Sequence, residues 1–309
     1  MSETQRVAII QSTAPPGDLE AGLSKTIHLA QEATQKGAQL VVFGETWLAG
    51  YPAWLDHCPE MALWDHGPTK DVFARYRQNS LVVGDDKTQQ LQELSGDLEI
   101  TLAVGISERV EQGPGNRTLY NSFLLFDRGQ LVNHHRKLVP TFTERLLWGP
   151  GDASGLRAVK TSVGSVGGLI CWEHWMPLAR QTLHEAGEHI HIALWPTVHE
   201  KHQIASRHYA FEGRCFVLAA GQILTAADLP DALPRREGLA PEDLVLRGGS
   251  AIIGPDGDYL VEPIFDHEEI LIADLDPAAI DREALTLDVS GHYQRPDVFD
   301  FQVISRQRQ

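Results

Sequence analysis

The stretch that decides the fold is Ser165-Val166-Gly167-Gly168-Leu169-Ile170-Cys171-Trp172-Glu173-His174. A run of small and apolar residues reaches Cys171 and then turns polar and aromatic. Apolar segments of this length are typical of buried strands, and Pro177 is suited to open a helix soon afterwards. The sequence therefore places Cys171 at a strand-to-helix turn, where α/β proteins hold their ligands. A thiol in that position is a candidate nucleophile.

The composition favours one large globular domain over 1–309. The chain has 309 residues, of which 42% are hydrophobic and 22% charged, so it can bury a sizeable core and disorder is not indicated. The formal net charge of −16 argues against nucleic acid and anionic membranes as partners, because both require basic patches.

The cysteine content and the N-terminal segment predict a soluble, cytoplasmic protein. Cys58, Cys171 and Cys215 give no disulfide framework and suit a reducing compartment. Residues 7–10 already read as a strand, without the longer apolar stretch of a signal peptide. No apolar run approaches the roughly 20 residues of a membrane span.

Strand-like and helix-like segments alternate along the chain. The predicted strands cover 7–10, 40–43, 100–107, 119–127, 131–137, 165–171, 190–195, 216–220, 249–253 and 270–275. The predicted helices cover 18–36, 69–80, 86–95, 177–186 and 199–213, with a short one opened by Pro277, and the predicted loops cover 46–68, 139–155 and 225–245. Because several strands form hairpins, we expect an α/β protein with mixed sheets, stacked in pairs and flanked by helices.

Three predicted strands end in a residue with catalytic chemistry: Glu45, Lys137 and Cys171. If these strands are neighbours, the three side chains share one cleft. A free thiol has a pKa of about 8.5, so it needs activation at neutral pH. A partly buried glutamate can act as the base, and a fixed ammonium can stabilise developing negative charge.

Each of these residues also has an ordinary interpretation. A single glutamate at a strand end is usually solvated, a single lysine is usually surface charge, and a single cysteine is usually a small buried apolar residue. Histidine is the usual partner of a catalytic thiol, but none of His134, His135 and His174 makes a convincing pair with Cys171 from spacing alone.

Metal and phosphate sites are weaker alternatives. Cys171 with His174, and His199 with His202, have ligand-like spacing, but zinc needs three or four converging ligands. Fourteen histidines in one chain produce such pairs by chance. The glycines of 164–168 match neither phosphate-loop pattern. The sequence predicts no metal and no organic cofactor.

Taken together, the motifs resemble the nitrilase branch of the carbon–nitrogen hydrolases. The resemblance rests on blocks that keep their order along nearly the whole chain: Phe43-Gly44-Glu45-Thr46-Trp47-Leu48-Ala49-Gly50-Tyr51-Pro52, His135-Arg136-Lys137-Leu138-Val139-Pro140-Thr141 continuing through Glu144 to Trp148-Gly149, Gly168-Leu169-Ile170-Cys171-Trp172-Glu173-His174, and Gly291-His292-Tyr293-Gln294-Arg295-Pro296. One departure is length, since many nitrilases extend well beyond the last block.

The resemblance implies a four-layer α-β-β-α sandwich with two mixed sheets. It also implies a Glu45–Lys137–Cys171 triad, a supporting carboxylate at Glu144, and the Trp172 backbone N–H as a second oxyanion donor beside Lys137. Family members pair helices of two subunits face to face. A homodimer or larger homo-oligomer is therefore expected, with 277–309 as a C-terminal tail that takes part in subunit contacts.

The activity implied is hydrolysis of a small-molecule nitrile to a carboxylic acid and ammonia through a thioimidate and a thioester. The expected substrate contacts are Tyr51, Trp148, Trp172, Trp195 and His199, although each could equally be packing in the core or an interface. An amidase or N-carbamoyl amide hydrolase with the same triad remains an alternative. A catalytically silent binding protein on the same fold is a more distant one.

Overall fold

The computed structural model describes residues 4–304. Its strands are β1 (Gln5–Gln11), β2 (Leu40–Phe43), β3 (Thr101–Arg109), β4 (Leu119–Asp127), β5 (Gln130–Arg136), β6 (Val159–Thr161), β7 (Gly164–Ile170), β8 (Ile190–Leu194), β9 (Phe216–Ala220), β10 (Ile223–Thr225), β11 (Leu244–Ile253), β12 (Tyr259–Phe265) and β13 (Glu269–Leu275). Its α-helices are α1 (Leu19–Gln35), α2 (Trp54–His57), α3 (Gly67–Gln78), α4 (Asp86–Asp97), α5 (Pro177–Glu185), α6 (Glu200–Gly213) and α7 (Ala278–Ala284).

The strands form two mixed sheets. The first has the order β13-β1-β2-β3-β4-β5, and the second has the order β10-β11-β9-β8-β7-β6 with β12 added on β11. Pairing is parallel within β1-β2-β3 and within β7-β8-β9, and antiparallel at the other positions. The prediction of an α/β fold with mixed sheets is confirmed.

Alternation of side chains along β1 shows how the layers stack. Val7 and Ile9 belong to a core shared with strands of the second sheet, whereas Ala8 and Ile10 pack with residues of α1 and α4. Successive strand residues point to opposite faces, so the first sheet is covered by helices on one side and by the second sheet on the other. Helix α6 packs on β9 across the far face of the second sheet, which completes the α-β-β-α order.

Local sequence signals account for several boundaries. Asp18 caps α1, because its side chain accepts a hydrogen bond of 3.0 Å from the Ala21 N–H. The hairpin between β4 and β5 turns at Arg128 and Gly129, whose φ angles of 44° and 88° are both positive. Such angles match the right-handed twist of the flanking strands. Both features agree with the sequence prediction.

The predictions missed several strands in the C-terminal half, including the short strands β6 and β10. β12 was not predicted, and β11 begins at Leu244, inside the predicted loop. Pro263 interrupts the strand pattern of β12, and proline is tolerated there because β12 is an edge strand that pairs with β11 alone within residues 4–304. Within the first half, the predicted loop over 46–68 also contains the short helix α2.

The part of the C-terminal tail that is described lies against α5 and the end of α6. Arg214 follows α6 and contacts Glu283 (3.7 Å) and Thr286 (3.3 Å), while Gln294 donates to Glu185 of α5 (3.0 Å). Residues 305–309 of the predicted tail lie outside the described residues. Among residues 4–304, no helix has the length and apolar character needed to cross a bilayer.

Candidate active site

Four buried side chains from both sheets converge at one point. Glu45 follows β2, Lys137 follows β5, Cys171 follows β7, and Glu144 lies in a short 3₁₀ helix, Phe142–Leu146. One oxygen of each glutamate and the Cys171 sulfur lie within 4.8 Å of one another. β2 and β5 are separated by two strands, and β7 belongs to the other sheet. The cleft therefore forms between the sheets rather than between neighbouring strands.

The Lys137 ammonium lies between the two carboxylates. Its Nζ donates to Glu45 Oε1 at 2.9 Å and to Glu144 Oε2 and Oε1 at 2.7 and 3.0 Å. Burial alone lowers the pKa of Lys137, but its interactions with Cys171, Glu45 and Glu144 outweigh burial and raise that pKa well above its ordinary value. Lys137 is therefore a permanent cation at this site.

Glu45 has one oxygen engaged and one free. Oε1 accepts hydrogen bonds from Lys137 and from Asn121 Nδ2 (2.7 Å), whereas Oε2 is buried without a hydrogen-bond partner among the described residues. Burial raises the pKa of Glu45 to about 7, although Lys137 opposes this change. A carboxyl group with a near-neutral pKa and an unoccupied oxygen is suited to proton transfer.

Glu144 is held on both oxygens. In addition to Lys137, Oε1 accepts from the Tyr51 hydroxyl (3.0 Å) and Oε2 accepts from the Thr141 N–H (2.7 Å). Burial and the neighbouring Glu144 charge raise the pKa of Tyr51 well above its usual value, so the hydroxyl remains a donor. Both Glu144 oxygens are therefore occupied, unlike Glu45 Oε2. This arrangement suits a supporting electrostatic role rather than proton transfer.

Cys171 has a backbone conformation that is rare for a residue with a side chain. Its φ of 55° lies in the left-handed region, at the first residue of the 3₁₀ helix Cys171–Trp175. Burial, followed by the Glu45 charge, raises the pKa of the thiol well above its ordinary value. The Trp172 N–H, expected as an oxyanion donor, hydrogen-bonds the sulfur and acts in the opposite direction. The resting group is a neutral thiol that needs a base.

Gly105 of β3 allows the Glu45 segment to approach the sheet. A Cβ at Gly105 would collide with the Gly44 carbonyl and would lie 2.7 Å from the Thr46 nitrogen. The Gln222 side chain, from the second sheet, donates a hydrogen bond to the Glu45 carbonyl. The position of Glu45 is therefore fixed by backbone contacts from both sheets.

Glu173 connects the Lys137 segment to the Cys171 segment. Its Oε1 accepts from the Leu138 N–H and its Oε2 from the Ile170 N–H, both at 2.7 Å, and His135 Nε2 lies 3.0 Å from Oε1. Burial opposes ionisation, but His135 and the two backbone donors together lower the pKa of Glu173. This buried carboxylate joins the residue after Lys137 to the residue before Cys171.

We expect Glu173→Gln to destabilise the protein and reduce its activity. An amide offers one acceptor oxygen, so one buried backbone N–H loses its partner, at a cost of about 1–3 kcal/mol. Thermal unfolding and kcat should be measured together, with Glu185→Gln on the exposed face of α5 as the control. Equal melting temperatures for both variants would contradict this account.

A cavity of about 450 Å³ opens beside the four residues. Its wall includes Cys171 and Glu144 and three of the predicted substrate contacts, Tyr51, Trp172 and His199. Trp172 is 47% exposed, in contrast to the buried thiol beside it. The cavity thus connects the sulfur to the surface along a partly aromatic wall.

The other two predicted substrate contacts, Trp148 and Trp195, are buried and are not among the residues that line this cavity. Trp148 donates from Nε1 to Ser107 Oγ (3.2 Å) and packs behind Tyr51, with ring centroids 6.3 Å apart. Trp195 is fully buried and stacks between His174 (4.6 Å) and His202 (4.1 Å). Each indole packs against a residue that lines the cavity, Trp148 against Tyr51 and Trp195 against His202. Burial in a protein core suits large aromatic side chains as well as ligand contact does.

The histidine pairs with metal-like spacing do not present converging ligands. His174 Nδ1 lies 2.7 Å from the Cys171 carbonyl oxygen, and its Nε2 lies 3.0 Å from His191 Nε2. The rings of His199 and His202 stack on each other at 3.6 Å. Glu45, Glu144 and Cys171 do have donor atoms close enough together to hold a metal ion. The Lys137 ammonium, however, contacts both of these carboxylates.

Sequence reasoning did not single out Asn121 or Glu173 as parts of the site. Asn121 is a polar residue within the apolar strand β4, and its amide holds Glu45. A buried polar side chain in such a strand needs a partner, and this was the available signal. Glu173 stood in the quoted motif, but nothing in its spacing showed which backbone donors it would meet.

Comparison with known proteins agrees with this geometry. The family model described as carbon-nitrogen hydrolase matches residues 6–283. The chain is 39% identical to an aliphatic nitrilase of Sinorhizobium fredii (strain HH103), over 95% of this chain and 94% of that protein. It is 36% identical to a nitrilase of Pseudomonas syringae pv. syringae (strain B728a), over 96% of this chain and 89% of that protein.

Solved structures show the same fold. A carbon-nitrogen hydrolase from Helicobacter pylori G27 aligns with a TM-score of 0.72 at 20% identity, covering 95% of this chain and 96% of that one. Nit3 of Saccharomyces cerevisiae, a member of branch 10 of the nitrilase superfamily, aligns with a TM-score of 0.71 at 21% identity, covering 96% and 98%. From the family match and the relatives, this chain belongs to the carbon–nitrogen hydrolases and, within them, to the nitrilase branch.

Proposed function

We propose that this protein hydrolyses an organic nitrile to the carboxylic acid and ammonia, with Cys171 as nucleophile, Glu45 as general base and Lys137 as the electrostatic stabiliser. The observation that carries the proposal is the free Oε2 of Glu45, in a carboxyl group within 4.8 Å of the Cys171 sulfur and bonded to Lys137 through its other oxygen. The chain's relatives named as nitrilases support nitriles as the substrate class.

In the first half of the reaction, Glu45 takes the proton of the Cys171 thiol while the sulfur attacks the nitrile carbon. One π bond of the nitrile breaks, and its electron pair moves to nitrogen, which takes up a proton to give a thioimidate. The Lys137 ammonium stabilises the charge that develops on this nitrogen. Covalent attack divides one difficult addition of water into easier steps.

In the second half, Glu45 activates a water molecule that adds to the thioimidate carbon. The C–N bond of the resulting tetrahedral species breaks, ammonia leaves, and a thioester remains. A second water molecule hydrolyses the thioester, which releases the acid and returns the proton to the Cys171 sulfur. The same base serves each step, because a group with a pKa near the working pH both accepts and returns protons.

We assign substrate contact to Tyr51, Trp172 and His199, because these side chains line the cavity. Glu144 keeps Lys137 charged and in place, and it contacts Tyr51 at the same time. The described cavity has the size of small-molecule sites, and its aromatic wall suits an apolar substituent on the nitrile.

The substrate class is tested by measuring ammonia release from a panel of nitriles and their matched amides. Hydrolysis of nitriles with little turnover of the amides supports the proposal. Turnover of the amides alone would identify an amidase with the same triad, and no turnover of either would favour a silent binding protein. Iodoacetamide labelling separates the last outcome from a poor choice of substrates, because an activated Cys171 reacts faster than Cys58.

We expect kcat/KM to rise with pH through an apparent pKa near 7. Glu45 must be ionised to accept the thiol proton, and burial raises its pKa to about 7. The rate is therefore low at pH 5 and approaches a plateau above pH 8. A pH–rate profile on the best nitrile checks this, and a flat profile between pH 5 and 8 would remove Glu45 as the titrating base.

We further propose a single domain over 1–309, a cytoplasmic location and a homodimer or larger assembly, with the tail taking part in subunit contacts. The free cysteines Cys58, Cys171 and Cys215 support a reducing compartment. Exposed apolar side chains on and near α5 and α6 support an interface there: Trp175, Leu178, Ile204 and Phe211. Light scattering of the purified protein tests the assembly.

A further inference from the structure

A second cluster of titratable groups lies buried behind Cys171, outside the four residues of the site. It consists of His174, His191, Glu188 and Tyr209, each at most 5% exposed. A methyl group on Gly167 of β7 would collide with Glu188, so this glycine provides the space for the carboxylate. The cluster contacts the nucleophile through the hydrogen bond between His174 and the Cys171 carbonyl.

The hydrogen bonds of this cluster have only one consistent direction. A carbonyl oxygen can only accept, so His174 Nδ1, at 2.7 Å from the Cys171 oxygen, carries a proton. Burial, followed by the charge of His191, lowers the pKa of His174 well below its usual value, so the ring is neutral and its Nε2 is an acceptor. His191 Nε2, at 3.0 Å, must therefore donate to it.

The other end of the chain is anchored by a carboxylate. His191 Nδ1 lies 3.0 Å from Glu188 Oε2, and the Tyr209 hydroxyl donates to Glu188 Oε1. Burial opposes ionisation of Glu188, but His191 and His184 together lower its pKa to about 2. A carboxylate can only accept, so His191 donates from Nδ1 to Glu188 as it donates from Nε2 to His174.

Other groups near the cluster do not interrupt this order. His184 Nδ1 lies 3.7 Å from Glu188 and its Nε2 lies 3.3 Å from Glu212, which Arg180 also contacts. The Trp195 ring stacks on His174 and the Tyr209 ring stacks on His191, at 4.6 and 3.6 Å. Both rings are therefore held in orientation by packing as well as by hydrogen bonds.

We propose that Glu188, His191 and His174 form a positioning relay that holds the Cys171 peptide in its left-handed conformation, by presenting a fixed N–H donor to the Cys171 carbonyl. The relay does not touch the substrate. It determines where the sulfur lies relative to Glu45 and Lys137. The inference rests on the proposed role of Cys171 as the nucleophile.

The experiment compares three variants. His191→Leu removes the donor to His174, and we expect kcat to fall by about 10–10²-fold with KM within threefold, because a small misplacement of the sulfur slows attack without weakening binding. In Glu188→Gln, the amide N–H can donate to His191 Nδ1, so His191 Nε2 can still donate to His174. This variant should therefore retain most of the rate. Tyr209→Phe removes a buried hydrogen bond to the same carboxylate and controls for stability.

Two readouts keep the test independent of the substrate. The rate of Cys171 alkylation by iodoacetamide should fall in His191→Leu as kcat does, while the melting temperatures of His191→Leu and Tyr209→Phe fall together. If kcat follows the melting temperature across all three variants, or if His191→Leu alkylates at the wild-type rate, the relay is only structural and the proposal is overturned.

Imidazole ¹⁵N NMR of the wild-type protein tests the proton order directly, and it remains informative if His191→Leu does not fold. The relay requires His174 as the neutral Nδ1–H tautomer and a hydrogen on each ring nitrogen of His191. The signals are assigned from those missing in His174→Asn and His191→Asn. An Nε2–H tautomer of His174 would overturn the proposal even if nitrile hydrolysis is confirmed.

Discussion

Replacing Cys171 by alanine is expected to abolish nitrile hydrolysis, lowering kcat by about 10⁴-fold or more while the fold remains intact. No thioimidate can form without the Cys171 sulfur, which lies within 4.8 Å of an oxygen of Glu45 and of Glu144. Stability should change little, because the substitution removes one atom, the sulfur, and leaves the backbone conformation of residue 171 as it was. Steady-state ammonia release and thermal unfolding together measure both effects.

The other two cysteines provide the controls for this prediction. Cys58 and Cys215 are buried thiols like Cys171, but Cys215 lies away from the cavity and Cys58 lies in the loop after Tyr51. Alanine at either position should leave kcat within a few fold of the wild type. Persistent nitrile hydrolysis in Cys171→Ala would remove the nucleophile assignment, whatever the geometry.

Glu45→Gln is expected to lower kcat by about 10²–10⁴-fold, the usual contribution of a general base. The amide keeps the shape of the side chain but cannot take the thiol proton. Glu108→Gln is the matched control, because Glu108 is also a buried, ion-paired carboxylate, bonded to His134 and Arg136. It should leave kcat nearly unchanged. A rate within tenfold of the wild type for Glu45→Gln would contradict the role of Glu45.

Glu45→Gln should also change how the free energy of unfolding depends on pH. The folded-state pKa of Glu45 is raised from 4.5 to about 7, so the folded protein binds more protons than the unfolded chain in this window. Ionising Glu45 therefore reduces the free energy of unfolding as the pH rises from 4.5 to 7. Glu45→Gln lacks this component, so relative to the wild type its denaturation midpoint should shift to higher values as the pH rises over that range.

The chemistry of the site could be predicted from strand ends, but its location between the sheets could not. Glu45, Lys137 and Cys171 each follow an apolar strand, and this local pattern is visible in the sequence. Which sheet a strand joins depends on pairing between distant segments, as when β7 pairs with β8 and not with β5. Local patterns do not carry this information, so the hypothesis of neighbouring strands was wrong in detail.

The sequence alone also could not predict the roles of side chains that depend on a partner in a distant segment. Trp148 and Trp195 have the composition of a substrate wall, but the fold buries both. Glu173 and Glu188 act through acceptor contacts with His135, His191 and backbone donors from other segments. A charged residue that is buried needs a partner, and only the tertiary structure shows that it is buried and which partner it has.

The pairing of β1 with β13 has a consequence for how the chain folds. β1 is hydrogen-bonded along its length to residues 269–275, and Arg6 closes the pair with Asp274 at 2.7 Å. Contacts between such distant segments carry a high loop-closure entropy and slow folding. During synthesis β1 is made long before β13, so its partner on this edge is not yet present. Until then β1 has one unpaired edge, which is the place where chaperones or aggregation would act.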